Sequence, residues 1–111
     1  MTAGSQNEIE PRQDHFQTLT HTVLTTSGTS QVAKAANVNR KYLLIQNDDA
    51  SAAAYIKIGA TAVANQGIKI VAGGSFVMSR HNGNLSTLAV NAIQGSSGEV
   101  LLITEGVNRT S

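Results

Sequence analysis

The stretch Arg40 to Asn47 reads Arg-Lys-Tyr-Leu-Leu-Ile-Gln-Asn, with its apolar residues running continuously instead of alternating with polar ones. Alternation of side chains along a strand sends Tyr42 and Leu44 to one face and Leu43 and Ile45 to the other. A strand of this kind is usually covered on both faces. Burying one large aliphatic side chain is worth ~1.5–3 kcal/mol, a sizeable part of the ~5–15 kcal/mol that holds a domain together. The core is therefore expected to nucleate here, and both faces of this strand call for cover.

A chain of 111 residues has room for one core. Aromatics make up only 4% of it, and Thr, Ser, Asn and Gly fill much of what is not Ala or Val. That mixture favours short strands and turns. Cysteine is absent, so disulfides and thiolate metal sites are excluded. A net charge of +1 with 14% charged residues gives no sustained attraction for nucleic acid, membranes or acidic substrates. So little charge also suggests that much of the surface is covered. No apolar run approaches the ~20 residues of a membrane span, and the start lacks the basic and apolar regions of a signal peptide. A protein made in the cytoplasm, with neither nucleic acid nor membrane as partner, is the expectation.

Along the chain, residues 1–15 show no periodicity and hold Glu8, Glu10, Arg12 and Asp14 around the only proline, Pro11. They read as an extended arm that would gain order on a partner. From Phe16 the pattern is strand-like, with Leu19, His21 and Val23 on one side and Thr18, Thr20 and Thr22 on the other. Threonine suits an exposed strand face, so the threonines are expected outside. A short strand around Gln31 to Ala35 leads through a turn at Asn37 to Asn39 into the central run. Asp48 to Ser51 favour a turn. Alternating strands follow at Ala54 to Ile58, at Ile68 to Ile70 and around Phe76 and Met78, and another runs from Leu85 to Ile93. Val100 to Ile103 is a second two-sided apolar run, suited to pair beside the first. The spacing predicts an all-β fold of about seven or eight short strands, an antiparallel sandwich, jelly roll or barrel. The β domain is expected over 16–105, with a polar tail at 106–111.

Candidate chemistry does not survive inspection. Gly95-Ser96-Ser97-Gly98 is not the G-x-S-x-G nucleophile elbow and has no strand-to-helix setting. Asp48, Asp49 and His81 would make a metal site only if brought together, and a turn explains both aspartates. Gly73-Gly74 lacks the helix and lysine of a phosphate loop. Arg40, Lys41 and Arg80 are too few, with too few stacking aromatics, for nucleic acid, and read as solvated or interface charges. His15 and His21 read as ordinary polar positions. No catalytic residue, metal or cofactor is expected, and the inventory left is that of a binding module.

The central run, followed by Tyr-Ile-Lys-Ile-Gly at Tyr55 to Gly59 and Gly-Ile-Lys-Ile-Val-Ala-Gly-Gly at Gly67 to Gly74, resembles a β module of tailed-phage virion proteins. Val100 to Glu105 matches its closing strand. Length, arm and layout are similar to the capsid decoration, or staple, proteins of epsilon15-like short-tailed phages. The resemblance implies a jelly-roll-like sandwich without enzymatic activity, bound to the outside of the major capsid protein lattice. It also implies homodimers bridging subunits near capsid two-fold axes. On that reading the partner contacts are expected at Ile9, Pro11, Arg12 and Phe16 of the arm, and at Arg80 and His81 of the most polar loop. A phage tail or fibre-associated carbohydrate-binding module is the other reading, since jelly rolls often serve as lectins.

Overall fold

The computed structural model describes residues 18–95 and 99–107; the expected arm and the last four residues of the expected tail lie outside them. The described residues form β1 (Thr18–Thr26), β2 (Gln31–Lys34), β3 (Arg40–Asn47), β4 (Ala54–Ile58), β5 (Ile68–Ile70), β6 (Ser75–Ser79), β7 (Val90–Gln94) and β8 (Glu99–Val107). They make two four-stranded antiparallel sheets, ordered β1-β8-β3-β6 and β2-β7-β4-β5. The pairs β1 with β8, β2 with β7, β3 with β6 and β4 with β5 are nested, as in one long ribbon folded back on itself. Rolling that ribbon up brings β3 beside β8 and β4 beside β7. This is jelly-roll topology, one of the alternatives that the strand spacing leaves open and the one that the resemblance implies. The two apolar runs, β3 and β8, do pair, with Ile45 opposite Ile103.

The core lies between the sheets. Leu43, Ile45, Met78, Leu101 and Ile103 from one sheet meet Ala54, Ile56, Ile70, Val90 and Ala92 from the other. The turn before β5 needs its glycine: Gly67 has φ +82, and a Cβ there would run into the carbonyl oxygen of Ile56.

Polar clusters plug both ends of this core, and β3 supplies one member to each. At its start Arg40 is fully buried. Its Nε donates to Glu105 Oε2 at 2.7 Å, and its other nitrogens donate to the carbonyls of Ser86, Leu88 and Ala35. Lys34 Nζ stands 3.9 Å from Glu105 Oε1. Arg40 is thus not a solvated or interface charge as expected. The cause is a β-bulge between Arg40 and Tyr42, which turns Arg40 off the outward face that Tyr42 and Leu44 share. A second bulge, between Val32 and Lys34, turns Lys34 inward in the same way.

At the other end, Asn47 Nδ2 donates to the carbonyls of Ala52 and Ile70, and its Oδ1 accepts from Asp49 N and Gln94 Nε2. Gln94 Oε1 in turn lies 2.9 Å from Thr26 Oγ1. All hydrogen-bonding positions of the Asn47 side chain are used, so its burial leaves nothing unsatisfied.

Other expectations shift. The strand expected over Leu85 to Ile93 begins only at Val90, because the backbone before it is tied elsewhere, through Arg40 and through Asn37 N to Thr87 O. The last strand runs to Val107, past the expected end at Glu105, because Glu105 is buried against Arg40 and β1 pairs along its full length.

Truncating a core residue of β3 is expected to cost what cavities cost: Leu43→Ala should lower unfolding free energy by about 2–5 kcal/mol in urea titration. Arg40→Ala should cost about 3–5 kcal/mol, since it leaves the buried Glu105 carboxylate with only the longer contact to Lys34, at 3.9 Å. Arg40→Met combined with Glu105→Gln, which removes both charges, should cost less than the single change.

Candidate interaction surface

The register of the β1-β8-β3-β6 sheet sets what its outer face carries. Residues directly opposite share a face, so Val23, Leu102 and Gln46 form one row, and His21, Thr104, Leu44 and Val77 another. Leu19, Gly106, Tyr42 and Ser79 flank them on one side, with Thr25 and Val100 on the other. None of these residues is Asp, Glu, Lys or Arg. Leu19 is 51% and Val23 66% exposed, while Tyr42, Leu44, Val77, Val100 and Leu102 are half-buried. His21 Nδ1 and Thr104 Oγ1 are 3.0 Å apart. A shallow depression of about 230 Å³ crosses the face between His21, Val23, Gln46 and Leu102.

The outer halves of both apolar runs, Leu44 of β3 and Val100 and Leu102 of β8, therefore lie together on a face that no other described part of the chain covers. The expected alternation of β1 is present and Thr18, Thr20 and Thr22 are exposed as expected, but both sides of β1 are exposed from Thr18 to Val23, and it is the side of Leu19, His21 and Val23 that continues the outer face of the sheet. Leu19, His21 and Val23 point out, while Thr20, Thr22 and Thr26 share the inner side with Glu105, Ile103 and Glu99. Leu24, packed on the core opposite Leu101, decides the facing, because a slip by one residue would put it in water.

The outer face of the β2-β7-β4-β5 sheet differs. Tyr55 sits between Ile93 and Lys69, and Lys57 lies beside Asn91, which is opposite Val32. Lys57 Nζ donates to Gln66 Oε1 at 2.9 Å. One outer face is thus uncharged and largely apolar, the other cationic around one tyrosine.

The expected contact residues are only partly placed. Arg80 and His81 are exposed in the connection after β6, at the rim of the uncharged sheet. Ile9, Pro11, Arg12 and Phe16 lie outside the described residues. His81 and the pair Asp48 and Asp49 are not brought together. Ser79 is level with Tyr42 at the start of β3, and Asp48 follows its end, about 20 Å away along the strand. No cluster of three or more metal-ligating side chains occurs among the described residues. Nor does any helix long and apolar enough to cross a membrane.

Asp49 serves the turn instead. Its Oδ2 accepts from Ala52 N at 2.7 Å and Ser51 N at 3.0 Å. These backbone donors, Ala52 first, hold its carboxyl below the ordinary aspartate value. A depressed carboxyl stabilises the fold above its unfolded-state value and loses that contribution as pH falls through the folded-state value. The melting-temperature gap between wild type and Asp49→Ala, measured at about pH 7, should therefore shrink as the pH is lowered below about 4.

No protein-family model matches the sequence, and no curated protein is similar to it. Among solved structures, one from Bacillus endospore appendages, described as a novel family of disulfide-linked pili, is similar with a TM-score of 0.40 and 14% identity. That similarity covers 92% of this chain and 99% of the other. A likeness this distant carries no weight for function.

Proposed function

We propose that this protein is a structural virion component that binds the outer surface of a phage capsid and staples neighbouring major capsid protein subunits, stabilising the shell. It acts by binding, not by catalysis. The observation that carries an interaction role is the uncharged outer face of the β1-β8-β3-β6 sheet, where the second sides of both apolar runs are left to be covered from outside. Contiguous exposed apolar surface of this kind marks association sites. The capsid as partner is supported by the resemblance of β3, β4 and the segment Gly67 to Gly74 to phage virion modules. A homodimer near capsid two-fold axes fits the role. It engages several subunits at once, so that modest contacts add up to firm attachment, and it needs only one self-complementary patch. Residues 2–16 add capsid contacts in this reading, with Arg80 and His81 at the rim.

A second reading, a carbohydrate-binding module of a phage tail or fibre, has one observation in its favour: Tyr55 on the other sheet, flanked by Lys57, Lys69 and Asn91, offers a ring beside polar groups.

Adding the purified protein to capsids assembled without it discriminates the two. It should saturate at a fixed ratio to the major capsid subunit. Val23→Lys and Leu102→Lys, which place a charge on the uncharged face, should each weaken binding by about ten-fold or more while melting temperature stays near wild type. Unchanged binding would move the interface to another surface. Unchanged occupancy after deletion of residues 2–16 would remove the arm from the interface. Retention on host glycan but not on capsids would favour the second reading.

A further inference from the structure

Among the described residues, one of the four sheet edges is much longer than the others. A sheet edge exposes unpaired backbone donors and acceptors, and proteins blunt such edges with short strands, bulges, prolines or charges. Among the described residues, the edge strand β5 has 3 residues, β2 has 4 and a bulge, and β6 has 5. The fourth edge strand, β1, has 9 residues, Thr-Leu-Thr-His-Thr-Val-Leu-Thr-Thr, without proline, glycine or formal charge. It runs in unbroken register along β8 and pairs with no other described strand.

The space beside that edge is shaped as well. The sandwich is open where β1 of one sheet faces β2 of the other, and a groove of about 350 Å³ runs along the seam. Its walls include Thr22 and Leu24 on one side and Val32, Ala33, Ala35 and Ala36 on the other. Val32, which also reaches the outer face of its sheet, is 57% exposed at the groove's rim. The charged groups lining it are Glu105, whose carboxylate is held by Arg40 at 2.7 Å, and Lys34, 3.9 Å from the same carboxylate.

We propose that β1 is a strand-addition site. It accepts an extended, uncharged segment of a partner protein that hydrogen-bonds to the β1 edge that no described strand pairs and places aliphatic side chains, at alternate positions, into the β1–β2 groove. Main-chain bonds supply affinity in such sites, and pockets for alternate side chains supply specificity. An aliphatic occupant follows from the walls that Leu24, Val32, Ala33, Ala35 and Ala36 make, against which apolar side chains at alternate positions would be buried. The protein's own first residues do not fit, since Glu8, Glu10, Arg12 and Asp14 fall at alternate positions around Pro11. A second copy of β1 would bring mainly threonines, Thr18, Thr20, Thr22 and Thr26, to the groove side. The inference goes beyond capsid attachment and stands whichever assembly supplies the strand.

The test uses the full chain and a labelled peptide, Lys-Ser-Val-Thr-Ile-Ser-Val-Thr-Lys, with blocked ends. Its control carries proline in place of isoleucine. The peptide should bind saturably by fluorescence anisotropy, and hydrogen exchange should slow at amides of Thr18–Thr26 and not elsewhere. Thr22→Lys, or Val32→Lys from the opposite wall, should weaken binding by about ten-fold. Val71→Lys, equally exposed but distant, should not. Having variants on both walls keeps the test decisive if one of them fails to fold. The proposal is overturned if no binding occurs at about 1 mM peptide, if the proline control binds equally well, or if the wall variants bind like wild type. It is also overturned if the chain self-associates in sedimentation with its β1 amides already protected, which would assign the edge to a second copy.

Discussion

The buried guanidinium of Arg40 is the interaction on which this sandwich depends most. A charge taken out of water is tolerable only when it is paired and its donors are used. Meeting that condition ties together parts of the chain that are far apart in sequence. Glu105 comes from the closing strand, Ala35 from the end of β2, and Ser86 and Leu88 from the connection ahead of β7. Both sheets are thereby fixed at one end of the core. Asn47, at the other end of the same strand, does the corresponding work without charge. β3 is thus an apolar centre held between two polar locks, and the locks determine where the loops around it lie.

Those loops and locks leave the sandwich with unlike surfaces. One outer face has no formal charge and collects the second sides of β3 and β8. The other presents lysines around Tyr55. The long edge of β1 adjoins the uncharged face and also bounds the seam between the sheets. Protein surfaces are usually mixed in charge and their edges blunted. The face without Asp, Glu, Lys or Arg on its strands and the β1 edge, which no second described strand pairs, lie side by side on one flank of the molecule.

Much of this architecture was legible in the residues. The bounds of β3 follow from its unbroken apolar middle between Arg40 and Asn47, and a second run of the same kind makes β8 a suitable neighbour, although strand order is fixed only by the fold. The short strands at Ala54–Ile58 and Ile68–Ile70 were visible through alternation. The facing of β1 was not. Threonine and valine are both β-branched and suit either side of an edge strand, and only the contact of Leu24 with the core breaks the tie. The role of Arg40 was hidden for a different reason. Period-2 reasoning assigns it to the outward face with Tyr42, and a single extra residue at Lys41 reverses that. The same happens to Lys34 next to Ala33.

The sequence by itself determined that this is an all-β chain of short strands around one core, with no cysteine chemistry and little charge. Those are properties of composition and local periodicity. Only the tertiary structure decided which side of each strand joins the core, which basic residues are interior, and which strand forms the long edge of the described sheets. Each of these depends on register between strands distant in the sequence. A one-residue bulge, invisible to any local pattern, is enough to turn a side chain from solvent to core.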